Sequence, residues 1–174
     1  AMLEAAGRKA EELLGSVPDT RRVVTAGITA INAVMAGCKP EYFSIVVSAL
    51  EAVLDPAFKI NTVATSTGGA AVCVIVSGPG AGEVKMNSGS NVLGSGNRAN
   101  ATIGRAVRLT IANGLGAKTG KLDATSIGHP GKYTLCFAEN PPLDPWRPLR
   151  VEKGYSSEDT TVTVMATEGP RQIA

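Results

Sequence analysis

The feature that most constrains the fold of this chain is a change of hydrophobic period just after Pro56. Before this residue, apolar side chains recur at the spacing of amphipathic helices. After it, short runs rich in β-branched residues are separated by glycine, which is typical of strands and turns. We therefore predict an α+β fold in which N-terminal helices pack on a small mixed β-sheet.

Three helices are predicted in the first third of the chain. The first ends at 17–19, and its apolar residues are Leu3, Ala6, Ala10, Leu13 and Leu14. The second runs from about Thr20 to Met35 and stops at Gly37, a residue suited to a helix C-terminus. Its apolar face is predicted to consist of Val24, Ile28, Ile31 and Met35. The third begins at Pro40 and is apolar around so much of its circumference that we expect a buried central helix.

The rest of the chain is predicted to contain four strands and a fourth helix. The predicted strands are Ile60 to Ser66, Ala71 to Ser77, Tyr133 to Ala138 and Thr160 to Ala166. The helix runs from about Arg98 to Asn113, and its apolar face is Ile103, Val107 and Ile111. The predicted fold thus includes a Gly-rich loop, residues 87–97, that leads into a central helix.

Length and composition predict one domain that is part of a larger assembly. A chain of 174 residues is the usual size of a single domain, and 44% hydrophobic content excludes a disordered chain. Only 18% of the residues are charged, so we expect another subunit or domain to cover part of the exterior. The opening Ala1-Met2 is interpreted as the remnant of an expression tag or as the cut edge of a longer reading frame.

Charge and cysteine usage exclude several classes of partner. The net charge is only +2 and the basic residues are dispersed, which argues against nucleic-acid binding. No apolar run approaches the roughly 20 residues that span a bilayer. The odd and irregular set of Cys38, Cys73 and Cys136 argues against a secreted disulfide framework. We therefore expect a cytoplasmic protein with reduced thiols.

The Gly-rich loop and the helix after it form the main candidate site. Glycines let backbone N–H groups converge on a ligand, and the first turn of a helix offers unpaired donors that favour an anion. The candidate residues for binding a carboxylate or phosphate are Ser88, Ser90, Asn91, Ser95, Asn97, Arg98 and Arg105. The competing interpretation is a tight turn followed by a solvated helix surface.

The same loop contains the spacing G-x-G-x-x-A at Gly94, Gly96 and Ala99. A dinucleotide fingerprint also requires a strand directly before it and an acidic residue about 20 positions later, and this sequence provides neither. We therefore predict no nucleotide, and the sequence leaves the cofactor unknown. The cysteines and the single histidine lack paired ligand spacing, so no metal site is predicted.

Cys38 is the candidate nucleophile. Its thiol precedes a predicted helix start and lies beside Lys39, and both features lower the pKa of a thiol. A thiolate at this position would serve as a nucleophile, a metal ligand or a redox centre. The alternative is a small buried residue where two helices meet.

His129 and Glu139 are the other candidate catalytic residues. His129 lies in the turn-forming segment 127–133, and a loop held by a strand is a common position for a catalytic base. A surface histidine in a turn is the alternative. Glu139 follows the same predicted strand and offers a carboxylate.

Several motifs resemble a bacterial family of UGSC-type (seleno)proteins. They are INAVMAGCKPEYF (31–43), GSGNRANATIGRAVRL (94–109), GHPGKYTLCFAEN (128–140) and W-x-P-L-x-V-E-x-G (146–154). In that family this region forms the C-terminal half, or a separate partner, of a chain with a Cys- or selenocysteine-Gly-Ser-Cys motif. That motif does not occur here, so the resemblance implies that the reactive sulfur or selenium lies on a second protein chain or a missing N-terminal domain.

Together these features predict a subunit of a multi-subunit enzyme that acts on a small anionic substrate. The loop and its arginines would bind the anion, with His129 as acid or base and Cys38 as a thiol in redox or lyase chemistry. The alternative is a non-catalytic ligand-binding or scaffolding subunit.

Overall fold

The computed structural model describes residues 1–17, 21–140, 145–171 and 173. The described part confirms the α+β class, with seven α-helices, one two-stranded sheet and one three-stranded sheet. The helices are α1 (Met2–Ala5), α2 (Ala26–Ala36), α3 (Phe43–Leu54), α4 (Ile60–Ala64), α5 (Pro79–Glu83), α6 (Arg98–Gly114) and α7 (Leu149–Glu152). The strands are β1 (Leu13–Val17), β2 (Arg22–Thr25), β3 (Ala71–Ser77), β4 (Cys136–Ala138) and β5 (Thr161–Thr167).

Helix α3 is the buried central helix that its composition predicts. A 3₁₀ turn, Pro40–Tyr42, leads into it, and eight of its twelve residues are buried. It ends before Asp55, whose carboxylate accepts a hydrogen bond of 2.8 Å from the Ala57 N–H and so begins the next turn. The change of hydrophobic period after Pro56 thus follows directly on the end of this helix.

Helix α6 is also confirmed, and it begins at the predicted residue. The Asn97 side chain accepts a hydrogen bond of 2.9 Å from the Asn100 N–H and thereby caps the helix. Ile103, Val107 and Ile111 are each no more than 2% exposed. The apolar face of this helix therefore forms part of the main core.

The three-stranded sheet determines where the start of α6 lies. Its order is β4-β3-β5, with β3 parallel to β4 and antiparallel to β5. Helix α5, the Gly-rich loop and α6 connect β3 to β4, so the loop lies towards the carboxyl ends of the two parallel strands. The Asn87 carbonyl accepts a hydrogen bond of 3.2 Å from the Ala138 N–H at that end. A Cβ at Gly104 would lie 2.4 Å from the Thr134 hydroxyl, so glycine there lets α6 pack closely on the segment before β4.

The first predicted helix is wrong beyond its first turn. Gly7, with a φ of +61°, follows directly after the four-residue helix α1 and its cap. Leu13 and Leu14 lie in β1, which pairs antiparallel with β2. The second predicted helix likewise begins too early, because Arg22–Thr25 is a strand; the predicted boundary at Pro18 to Thr20 lies outside the described residues.

Helix α2 ends at Gly37 as predicted, in a left-handed conformation, but only Val24 and Ile28 of its predicted apolar face lie against α6. Ile31 and Met35 are 63% and 64% exposed, whereas Thr29 and Asn32 are buried. Helix α2 packs along α6, and this contact uses small residues together with a hydrogen bond of 2.6 Å from the Asn113 side-chain amide to the Asn32 side chain. Close packing of α2 on α6 therefore leaves Ile31 and Met35, the second half of the predicted face, on the surface.

The strand predicted from Ile60 to Ser66 is a helix, α4, over its first five residues. Its β-branched composition suits either element when it is read alone. Both edges of β3 are already occupied by β4 and β5, so a strand at this position has no place beside β3. Residues 141–144, in the Pro-rich segment between the last two predicted strands, lie outside the described residues.

Candidate functional site

The Gly-rich loop is organised mainly by its own asparagines. The Asn91 side chain donates a hydrogen bond of 3.2 Å to the Ser95 carbonyl, and Asn97 Nδ2 donates one of 2.8 Å to the Lys85 carbonyl. No side-chain hydrogen bond of Ser88, Ser90 or Ser95 occurs within the part of the chain that the structure describes. The loop therefore uses its asparagine amides to form a turn, and its serine hydroxyls have no partner among the described residues.

Arg98 contacts the end of α2. Its Nε and Nη2 atoms donate hydrogen bonds of 3.0 and 2.9 Å to the Gly37 carbonyl, which lies at the C-terminal cap of that helix. A cation at a helix C-terminus satisfies an orphan carbonyl and interacts favourably with the helix dipole. Two of the N–H groups of Arg98 thus connect α6 to the end of α2.

Cys38 lies next to this contact and is buried. It is 6% exposed, and its thiol donates a hydrogen bond of 3.2 Å to the Thr102 carbonyl. Burial raises the pKa of the Cys38 thiol above its ordinary value, despite the hydrogen bond to Thr102 and the nearby Arg98 charge. The expected lowering of this pKa is therefore wrong. Burial also raises the pKa of Cys73 and Cys136.

Glu139 lies at the carboxyl end of β4, in a polar cluster with the end of β3. Its Oε2 atom accepts a hydrogen bond from the Ser77 hydroxyl and lies 4.0 Å from Arg150 Nη1. Its Oε1 atom accepts a hydrogen bond of 2.7 Å from the Leu149 N–H. These contacts fix the start of α7 against the three-stranded sheet.

Arg105 and His129 are brought together in a cleft of about 580 Å³ near the amino ends of the parallel strands. One wall is the solvent side of α6, and the other is the segment that leads into β4. We call this site the basic cleft. It is lined by Arg105, Arg108, Leu109, Ala112, Thr119, Asp123, Thr125, Ile127, Gly128, His129, Pro130, Lys132 and Tyr133.

Asp123 is the buried carboxylate of the basic cleft. One oxygen lies 2.5 Å from Arg108 Nη2, and the other accepts hydrogen bonds of 3.0 Å from Lys132 Nζ and 2.7 Å from the Thr125 hydroxyl. Burial by itself raises the pKa of Asp123, but the hydrogen bonds from Thr125 and Lys132 and the two cationic charges outweigh it. The pKa of Asp123 is therefore lowered, and the carboxylate is held in its charged form.

Arg105 differs from the other two cations of the basic cleft. Its guanidinium lies over the Tyr133 ring, 5.5 Å from the ring centroid. Within residues 21–140 and 145–171, it makes no ion pair and no side-chain hydrogen bond. Its five N–H donors are consequently available to a ligand in the cleft.

Both ring nitrogens of His129 already have backbone partners. Nδ1 accepts a hydrogen bond of 3.1 Å from the Gly131 N–H, so Nε2 is the nitrogen that donates to the Gly69 carbonyl at 2.7 Å. These bonds connect the loop before β4 to the loop before β3. In this geometry His129 orders the floor of the basic cleft and presents no free nitrogen to a ligand.

The predicted site residues thus occupy three places. Arg98, Cys38 and the Gly-rich loop lie around the start of α6, and Arg105 lies about 10 Å farther along the same helix. His129 shares the basic cleft with Arg105, whereas Glu139 lies at the opposite end of β4. Cys38 is not among the described residues that line the basic cleft.

Sequence reasoning did not identify Arg108, Asp123 or Lys132 as site residues. Arg108 follows Arg105 by three positions on α6, a spacing that places both on one helix face. No such spacing in the sequence links Asp123 to Lys132, because they lie in separate loops that only the fold brings into contact.

The described residues contain no group of three or more His, Cys, Asp or Glu side chains placed to hold a metal ion. None of the helices described above combines the length and the apolar character needed to cross a bilayer. In comparisons with known proteins, no family model, no curated protein and no solved structure matches this chain. The resemblance to UGSC-type proteins consequently stays a prediction that rests on the motifs.

Proposed function

We propose that this chain binds a small anionic molecule in the basic cleft. The observation that supports this most directly is Arg105, a cation with no acidic partner among the described residues, on the wall of a cleft of about 580 Å³. Three cationic side chains and a single carboxylate line the cleft. Arginine binds carboxylate and phosphate through paired N–H groups, so a ligand of either kind suits this wall.

Within the larger enzyme that the motifs imply, we assign this chain the role of ligand-binding subunit. Cys38 is buried and hydrogen-bonded outside the cleft, and both His129 nitrogens are occupied. These contacts favour the non-catalytic alternative for the chain's own residues. The thiol-linked redox or lyase step then belongs to the reactive sulfur or selenium of a second chain, as the resemblance implies.

The proposal that a second chain binds is supported by the solvent-exposed face of α2. Ile31, Val34 and Met35 are each more than 60% exposed, and the eleven residues of the helix include no charged side chain. A contiguous apolar surface of this kind is typical of a contact with another protein. We propose that the partner subunit covers this face.

The binding proposal is tested by isothermal titration calorimetry with inorganic phosphate and with benzoate. We expect at least one of them to bind, and we expect Arg105→Gln to weaken binding about tenfold or more, the range for loss of a charge-assisted hydrogen bond. Arg98→Gln is the matched control, because it removes the same charge from the same helix outside the cleft. Equal affinity in wild type and Arg105→Gln, or a loss confined to Arg98→Gln, would contradict the proposal.

A further inference from the structure

The charges and the apolar wall of the basic cleft narrow the class of its ligand. We propose that the cleft selects a dianionic group attached to an apolar body, for example a phosphate or phosphonate joined to a hydrocarbon ring. This inference rests on the proposed function and specifies its ligand.

The charge of the basic cleft favours a doubly charged anion. Its three cations and one carboxylate leave a net charge of two positive units before His129 is counted. Asp123 offsets one of the charges of Arg108 and Lys132, and Arg105 contributes a second, uncompensated charge. A monoanion neutralises only half of this excess, so the second negative charge of a ligand gains additional Coulombic stabilisation.

The two uncompensated charges are close enough for one ligand group to contact both. Arg105 and Arg108 are three residues apart on α6, which places their Cβ atoms about 5–6 Å from each other on one face. Lys132 is held beside Arg108 through their shared contact with Asp123. Its Nζ also donates to the Thr125 hydroxyl and the Ala70 carbonyl, so Lys132 contributes charge to the cluster but no free N–H group. A tetrahedral group with three oxygens can accept hydrogen bonds from the two arginines in several directions at once.

The apolar part of the ligand is inferred from the apolar side chains that line the basic cleft. Tyr133 is 68% exposed and Ile127 is 99% exposed, and both line the basic cleft together with Leu109, Ala112 and Pro130. Exposed apolar side chains beside a polar pocket are typical of sites that bury an apolar portion of a ligand. Tyr133 lies directly against Arg105, so the apolar body and the anionic group would occupy adjacent positions.

The charge preference is tested with phenylphosphonate and benzenesulfonate, which have nearly the same shape but differ in charge. At pH 8.5, where the phosphonate carries two charges, we expect it to bind about tenfold more tightly than the sulfonate. In Arg105→Gln this ratio should fall towards one, because one of the two uncompensated charges is lost. Equal affinities for the two ligands in the wild type would overturn the dianion inference and leave the anion-binding function intact. If neither ligand binds, and phosphate and benzoate also fail, both proposals are wrong.

The apolar preference is tested with methylphosphonate and the variant Tyr133→Ala. We expect the wild type to bind phenylphosphonate severalfold more tightly than methylphosphonate, since the ring buries additional apolar area. Tyr133→Ala should reduce this difference, because the ring of Tyr133 forms part of the apolar surface of the cleft. Equal affinity of the wild type for the two phosphonates would overturn the apolar part of the inference.

Discussion

Asp123 holds two of the three cations of the basic cleft in position. It is 3% exposed and accepts hydrogen bonds from Arg108, Lys132 and Thr125. In the folded chain these side chains replace the water that hydrates the carboxylate in the unfolded chain. A buried carboxylate of this kind is stable only while its partners remain, and removing one member of such a pair typically costs about 3–5 kcal/mol. The arrangement therefore contributes to stability as well as to the shape of the cleft.

The lowered pKa of Asp123 predicts a specific dependence of stability on pH. The stabilisation from a carboxylate with a depressed folded-state pKa is fully present above its unfolded value, about 3.9, and is lost as the pH falls through the folded value. We expect Asp123→Asn to lower the free energy of unfolding at pH 7 and to show a shallower loss below about pH 4 than the wild type. Urea unfolding from pH 7 to pH 2 measures both effects.

The exposed Glu83 provides a control for this experiment. Glu83→Gln removes a carboxylate that makes no ion pair within the described residues, so its unfolding curve should follow that of the wild type across the same range. An Asp123→Asn variant as stable as the wild type at pH 7 would show that the buried carboxylate does not stabilise the fold.

Among the helices, α2 shows which properties hydrophobic periodicity predicts and which it does not. The sequence pattern correctly indicates a helix that ends at Gly37, because helix propensity and the glycine cap are local properties. It places Ile31 and Met35 in the core, although both are exposed, because the buried side depends on α6, against which Val24 and Ile28 pack near Gly114. Helices α3 and α6 were predicted well since their own apolar faces are broad enough to determine which side is buried.

The orientation of α2 predicts opposite outcomes for the same substitution in two helices. Ile31→Ala should change the free energy of unfolding by no more than about 0.5 kcal/mol, because Ile31 is 63% exposed. Ile103→Ala should cost about 2–5 kcal/mol, because it leaves a cavity beside a fully buried side chain. Chemical denaturation of the two variants provides the comparison, and a cost above about 2 kcal/mol for Ile31→Ala would contradict the assigned orientation.

At the scale of the whole molecule, the fold separates residues that the sequence grouped together. The α+β class and the central helices follow from periodicity, but the site depends on contacts between distant segments. Arg98 and Arg105 are seven positions apart on one helix, yet Arg98 caps α2 and Arg105 faces the basic cleft. The pairing of β3 with β4 decides which loops share an end of the sheet, and no local pattern specifies that pairing.

We propose that the anion binds in the basic cleft and not in the Gly-rich loop at the start of α6. An NMR titration of ¹⁵N-labelled protein with phenylphosphonate tests it directly, because each backbone amide reports its own surroundings. We predict that chemical-shift changes concentrate at Arg105, His129 and Tyr133, while the amides of residues 88–98 stay unchanged. Changes that concentrate at residues 88–98, with the basic cleft unaffected, would show that the anion binds at the Gly-rich loop instead.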